Sequence, residues 1–166
     1  MTRHRIATAG LLLAVTVFSA HAARAQGAFA IGVGPSFPTG DQGSGLNTGI
    51  NLLGAYSIGI PYLPVTARFD LAYNRFPYSH ASGGANVWSG SANVVYSFHG
   101  AVIRPYVIGG LGLYHEPGDW TGGINGGGGV RVPLPVKVEL FAEVRYHYLF
   151  ASHSAQYVPL TVGVAF

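Results

Sequence analysis

The sequence predicts an all-β fold, an eight-stranded antiparallel up-and-down transmembrane β-barrel preceded by a cleaved signal peptide. Three observations carry this. Between residues 26 and 166, short runs alternate large apolar side chains with small or polar ones, and Gly, Pro, Ser and Asn clusters separate them. A period of two gives a strand two unlike faces. Charged residues make up only 9% of the 166, with 25 Gly and 13% aromatics, whereas a soluble domain carries about a quarter charged residues. Finally, no stretch of about 20 apolar residues occurs in that region, so no helix is expected to cross a bilayer.

The N-terminus accounts for part of the charge. Met1-Thr-Arg-His-Arg5 is basic, Ile6 to Ala20 is apolar, and Ala23-Arg24-Ala25 offers a small-x-small cleavage site before Gln26. This is the pattern of a secretory signal peptide, with an apolar run too short for a comfortable membrane span. Residues 1–25 are therefore expected to be removed, leaving 26–166 as one barrel domain. Arg3, Arg5 and Arg24 leave with the signal. Arg68, Arg75, Arg104, Arg131, Lys137 and Arg145 then balance Asp41, Asp70, Glu116, Asp119, Glu139 and Glu143. A neutral mature chain has no basic footprint for nucleic acid. The absence of Cys excludes disulfides, thiolate metal sites and a catalytic thiol.

Eight runs read as strands. Ala28 to Ser36 sets Phe29, Ile31 and Val33 against small residues, and Leu46 to Ser57 sets Ile50, Leu52 and Tyr56 against Asn47, Asn51 and Ser57. The third run, Val65 to Phe76, alternates most sharply, with Val65, Ala67, Phe69, Leu71 and Tyr73 opposed to Thr66, Arg68, Asp70, Ala72 and Asn74. Asn86 to Phe98 opposes Trp88, Ala92, Val94, Tyr96 and Phe98 to Ser89, Ser91, Asn93 and Ser97. Arg104 to His115 is apolar on both sides, so its faces stay open. Gly122 to Val132 contains Gly126 to Gly129 and is the weakest strand by propensity; it is retained because an even number closes the barrel. In Lys137 to Leu149, Val138, Leu140, Ala142, Val144, Tyr146 and Tyr148 oppose Lys137, Glu139, Phe141, Glu143, Arg145 and His147. The eighth run, Tyr157 to Phe166, puts Val158, Leu160, Val162, Val164 and Phe166 on one face.

The connections alternate in character. Ile58 to Pro64, His99 to Ile103 and Pro133 to Val136 are tight and Pro-punctuated, while Pro38 to Gly45, Pro77 to Ala85, Glu116 to Thr121 and Ala151 to Gln156 are polar. Short turns at one end and polar loops at the other suit a barrel whose loops face outside the cell.

Too few charges remain to solvate the outside of a soluble lipid-binding barrel. In lipid, the apolar parity must face out and the polar parity must pair inside. The expected lumen ion-pair network is Arg68, Asp70, Arg131, Lys137, Glu139, Glu143, Arg145 and His147. Tyr56, Tyr96 and Phe98, with Tyr62 and Phe166, are expected as one aromatic belt. Tyr73, Trp88, Trp120, Tyr146 and Tyr148, with Phe76, are expected as the other. An eight-stranded lumen is just wide enough for side chains to fill, so a self-plugged barrel is expected over a narrow pore for small solutes.

With these features in place, residues 26–166 resemble the small eight-stranded outer-membrane β-barrels of the OmpA/OmpX type. The resemblance rests on the signal, Pro35-Ser-Phe-Pro-Thr-Gly40, Pro105-Tyr-Val-Ile-Gly-Gly-Leu-Gly-Leu-Tyr114 and the terminal Val-Gly-Val-Ala-Phe166. It implies an outer-membrane address and contact with membrane lipid and lipopolysaccharide. It also implies help from periplasmic chaperones and from an assembly machinery that reads Phe166. A monomer with a structural or surface-interaction role, no enzyme activity and no cofactor is expected.

Catalytic and metal readings find little support. Glu139 and Glu143 suit a paired-acid glycosidase, but both need cationic partners. His80, His115 and His153 fall in or beside the polar loops without His-x3-His or His-Glu-x-x-His spacing. No phosphate-binding Gly motif occurs. Another family of eight-stranded outer-membrane barrels deacylates lipid A through His-x-Ser-Asn and a downstream Glu. Here His153-Ser154-Ala155-Gln156 lacks the Asn and no acid follows Glu143.

Overall fold

The computed structural model describes residues 27–40, 45–100, 102–116, 118–135, 137–150 and 155–166. The signal peptide expected over 1–25 lies outside them, as do His153 and Ser154. Eight strands follow one another: β1 Ala28–Thr39, β2 Gly49–Gly59, β3 Val65–Pro77, β4 Gly84–Ser97, β5 Arg104–Glu116, β6 Asp119–Pro133, β7 Glu139–Leu149 and β8 Gln156–Ala165. Each pairs antiparallel with its neighbours, and β1 pairs with β8 to close the barrel. Closure leaves no sheet edge, which hydrocarbon could not satisfy.

The pairing register fixes the shape. Once around the barrel, Ala28 pairs with Ser57, then Arg68, Asn93, Gly110, Asn125, His147 and Tyr157, and Tyr157 returns to Pro38. The path re-enters β1 ten residues on, at 38 instead of 28. With ~3.3 Å per residue and ~4.8 Å between strands, that stagger tilts the strands by roughly 40°. It is even, so inward residues meet inward residues all the way round.

Every strand turns large apolar side chains outward, among them Ile31, Leu52, Leu71, Val94, Leu111, Ile124, Val144 and Val162. Ser36, Asn51, Arg68, Asp70, Asn74, Asn93, Asn125, Glu143, Arg145, His147 and Thr161 are buried inside. The parity that alternation left open in β5 is settled: Tyr106, Ile108 and Tyr114 face in, and Val107, Leu111 and Leu113 face out. Glycine makes β6 workable as a strand. A Cβ at Gly129 would sit 2.6 Å from the Tyr106 ring, and one at Gly123 would sit 2.8 Å from that of Tyr114. The glycines are the slots into which β5 tyrosines lie.

Four expectations are corrected. Phe76 shares the parity of Arg68, Asp70 and Asn74, so it is buried in the lumen and not in an aromatic belt. Lys137 precedes β7 in a left-handed turn conformation (φ 57) and is exposed, so it does not face the lumen. The loop expected over Glu116 to Thr121 is largely strand: Glu116 pairs with Asp119, and Gly118 takes the positive φ of the two-residue reversal. Finally, the two barrel ends differ more in composition than in length. Connections span 60–64, 98–103 and 134–138 at one end, and 40–48, 78–83, 117–118 and 150–155 at the other.

Candidate functional site in the barrel lumen

Inside, the side chains form three layers. The middle layer is an ion cluster drawn from opposite walls. Arg68 on β3 donates Nη1 and Nη2 to the Glu143 carboxylate at 2.7 and 3.1 Å, and Nε to Asp70 Oδ1 at 2.7 Å. Arg145 on β7 donates Nη1 to Asp70 Oδ2 at 2.7 Å and Nη2 to Glu143 Oε1 at 2.5 Å. Each Arg thus touches both acids, and each acid touches both Arg. Asn93 Nδ2 donates to Asp70 Oδ2 at 3.1 Å and Tyr106 OH to Glu143 Oε2 at 2.8 Å. Every carboxylate oxygen is therefore engaged. All four charged residues are at most 4% exposed, a burial that only such complete pairing makes tolerable. Beside the cluster, Thr161 Oγ1 donates to Asn51 Oδ1 at 2.8 Å and Asn51 Nδ2 to Asn74 Oδ1 at 3.0 Å.

Towards the 40–48 and 78–83 connections, Phe76, Val87, Tyr114, Leu149 and Tyr157 pack into an apolar layer. His147 belongs here and not to the ion pairs: its ring stacks on Tyr157 at 4.6 Å, and Nδ1 lies 2.9 Å from Tyr114 OH. Above this layer is a cavity of about 300 Å³ lined by Leu46, Phe76, Tyr78, Val87, Glu116 and Tyr157. Towards the opposite end, Val95, Tyr106 and Ile108 pack together, with Arg131 lying 4.8 Å over the Tyr106 ring. A cavity of about 40 Å³ reaches from there to Arg68.

The expected network therefore divides. Arg68, Asp70, Glu143 and Arg145 meet. Arg131 stacks one layer away, because its register partner is Phe141 and not Glu143. Glu139 pairs with Arg104 at the rim, 3.1 Å apart and partly exposed, which separates it from Glu143 and dissolves the paired-acid arrangement. His115 points outward and stacks on Trp120 at 4.7 Å, while His80 is exposed in the 78–83 connection. Tyr106, Tyr114 and Tyr157 complete the lumen; the two-sided apolarity of β5 conceals the first two in the sequence, and Tyr157 shares the less apolar parity of β8 with Pro159, Thr161 and Gly163.

Outside, aromatic rings gather at both ends. Phe29 lies 4.7 Å from Tyr56 and 6.5 Å from Phe166, and Tyr96 lies 5.0 Å from Phe98. At the other end Tyr73 meets Trp88 at 4.7 Å, Tyr148 meets Phe150 at 6.0 Å, and Tyr146 OH donates to Gln156 Oε1 at 2.8 Å. Tyr62 is fully exposed at the tip of the 60–64 turn.

The outer membrane protein beta-barrel domain family matches residues 10–166. Neisserial surface protein A, NspA, is similar in structure with a TM-score of 0.67 at 19% identity, covering 85% of this chain and 97% of its own. The outer membrane enzyme PagL is similar with a TM-score of 0.56 at 14% identity, over 84% of this chain and 98% of its own. Ail, the attachment invasion locus protein of Yersinia pestis, scores 0.52 at 18% identity, over 84% and 97%. No curated protein sequence matches significantly.

Proposed function

Since the chain belongs to the outer-membrane β-barrel domain family, we propose that it serves the outer membrane as a self-plugged, non-enzymatic barrel with a structural or surface-interaction role. The outer-membrane location follows from the family, and the apolar outward face meets lipid there. The observation that carries the proposal is the Arg68–Asp70–Arg145–Glu143 cluster. It engages every carboxylate oxygen in the middle of the lumen, which supports a plug made of paired charges over a free acid–base pair. In this reading the signal directs export and the polar connections face outside. Phe166 addresses the chain to chaperones and the assembly machinery, and the barrel stays monomeric.

A surface-interaction role is supported by likeness of fold to Ail, itself an attachment protein. PagL shows that a similar fold also belongs to an enzyme, so the non-enzymatic reading rests on this chain's own lumen. Planar-bilayer recording tests the plug: no steady conductance is expected, and a steady current would favour the narrow-pore reading. A deletion strain assayed for envelope permeability and for surface binding tests the role, and loss of neither would refute it.

A further inference from the structure

The outward faces of the eight strands carry one charged residue among those described, Arg75 on β3. Its exposed side chain follows Leu71 and Tyr73 along the lipid-facing parity. It has no hydrogen-bond or ion-pair partner among the described residues. The other polar, non-aromatic outward positions, Thr39, Asn86, His115 and Gln156, sit at the same end of the barrel as Arg75. The opposite end shows only apolar and aromatic residues outward. The asymmetry is chemical, because both ends have aromatic belts but only this one adds amide and imidazole groups and a cation on the outward faces of its strands.

Around Arg75 the groups are organised. Arg75 pairs directly with Asn86 across β3 and β4, and Tyr73 with Trp88 in the next outward row. Cross-strand partners have Cβ atoms ~5 Å apart. Tyr73 OH donates to Asn86 Oδ1 at 2.9 Å, which occupies the amide oxygen and leaves the NH2 as the donor of that side chain. Trp88 closes the cluster on the membrane side, its ring 4.7 Å from Tyr73. A guanidinium with an amide donor alongside is the complement of a net-anionic phosphate, and less so of a zwitterionic phosphocholine, whose quaternary ammonium it repels. Its height also fits, since a lipid-facing Arg is costly at the bilayer midplane and well tolerated at the interface, where headgroup phosphates lie.

We propose that Arg75 and Asn86 form a binding site for the net-anionic phosphomonoester headgroup of a membrane lipid, held against the barrel wall by the Tyr73–Trp88 pair. Which leaflet supplies the lipid depends on the proposed reading that the polar connections face outside. The binding itself does not, and a conducting or catalytic barrel would show it equally, so its failure would leave the proposed function standing.

Both tryptophans of the chain, Trp88 and Trp120, lie in outward positions at this end, so they report directly on neighbouring lipid. The protein is reconstituted in phosphatidylcholine vesicles containing brominated-chain phosphatidic acid or brominated phosphatidylcholine, and tryptophan quenching gives their relative binding. A preference for phosphatidic acid of about fivefold is expected. It should fall towards one in Arg75→Gln, persist in part in Arg75→Lys, and be unchanged in Arg104→Gln, which removes a cation from the opposite end. Heat-modifiable gel mobility verifies that each variant is folded. Raising salt to about 0.5 M should reduce the wild-type preference without any substitution. A wild-type ratio of one, or a ratio in folded Arg75→Gln equal to wild type, overturns the site.

Discussion

Arg68 and Glu143 stand 75 residues apart in sequence and meet in mid-lumen through two hydrogen bonds of 2.7 and 3.1 Å. The contact spans the barrel from β3 to β7, so it ties together walls that share no main-chain hydrogen bonds. Removing one member leaves an uncompensated charge where water is scarce, which costs ~3–5 kcal/mol. Glu143→Gln, which abandons two arginines to a single aspartate, is expected to destabilise by about that amount. The measurement is urea unfolding in lipid vesicles followed by tryptophan fluorescence. A double-mutant cycle with Arg68→Met should show strong non-additivity, because both changes break the same contact. Additive losses would show that the two residues are stabilised separately.

The same chemistry at the rim sets the comparison. Arg104 and Glu139 are 3.1 Å apart, but their side chains are 48% and 28% exposed. Exposed ion pairs contribute ~0–1 kcal/mol. Arg104→Ala is therefore expected to leave the unfolding midpoint nearly unchanged in the assay where Glu143→Gln lowers it. A loss as large as that of Glu143→Gln would mean the rim pair is more shielded than its exposure indicates.

These two pairs also show what was legible beforehand. Alternation gave all eight strands to within a few residues, and parity alone placed Arg68, Asp70, Glu143 and Arg145 on the inner face. Parity has no information about height, however. It grouped Arg131, Lys137 and Glu139 with the cluster although the ten-residue stagger puts them in other layers or beyond the strand. Partner choice across the lumen depends on that stagger, a property of the closed sheet and not of any single strand. β5 was opaque for a different reason: tyrosines inside and leucines outside are both apolar by pattern. Only the glycines of β6, seen as slots for Tyr106 and Tyr114, explain which side is which.

The slot idea extends to the β1–β8 seam. A Cβ at Gly163 would sit 2.6 Å from the Phe141 ring and 2.7 Å from Gly32 Cα. Gly163→Ala is thus overpacked against backbone as well as ring, and a destabilisation of ~1–3 kcal/mol is expected. Gly54 gives the contrast, since the nearest atom to its virtual Cβ is Leu71 O at 4.0 Å, on the lipid side. Gly54→Ala is expected to be neutral or stabilising by ~0.4–1 kcal/mol, through reduced freedom of the unfolded chain. Folded fraction by heat-modifiable gel mobility after refolding ranks the two, and equal yields would refute the steric account.

Phe166 has two separable contributions. Its main chain exchanges hydrogen bonds with Phe29, N to O at 2.9 Å in one direction and 2.8 Å in the other, extending the β1–β8 seam to the last residue. Its ring, 6.5 Å from that of Phe29 and 59% exposed, is largely available to lipid or to a receptor. Phe166→Ala keeps the main-chain bonds and removes only the ring, whereas deletion removes both. If the ring addresses the assembly machinery, Phe166→Ala should lower outer-membrane yield in cells as severely as deletion does. In refolding from urea into vesicles, where no machinery is present, Phe166→Ala should approach wild type while deletion falls below it. Equal behaviour of the two variants in vitro would assign the terminus a purely packing role. Undiminished yield in cells would remove the addressing role altogether.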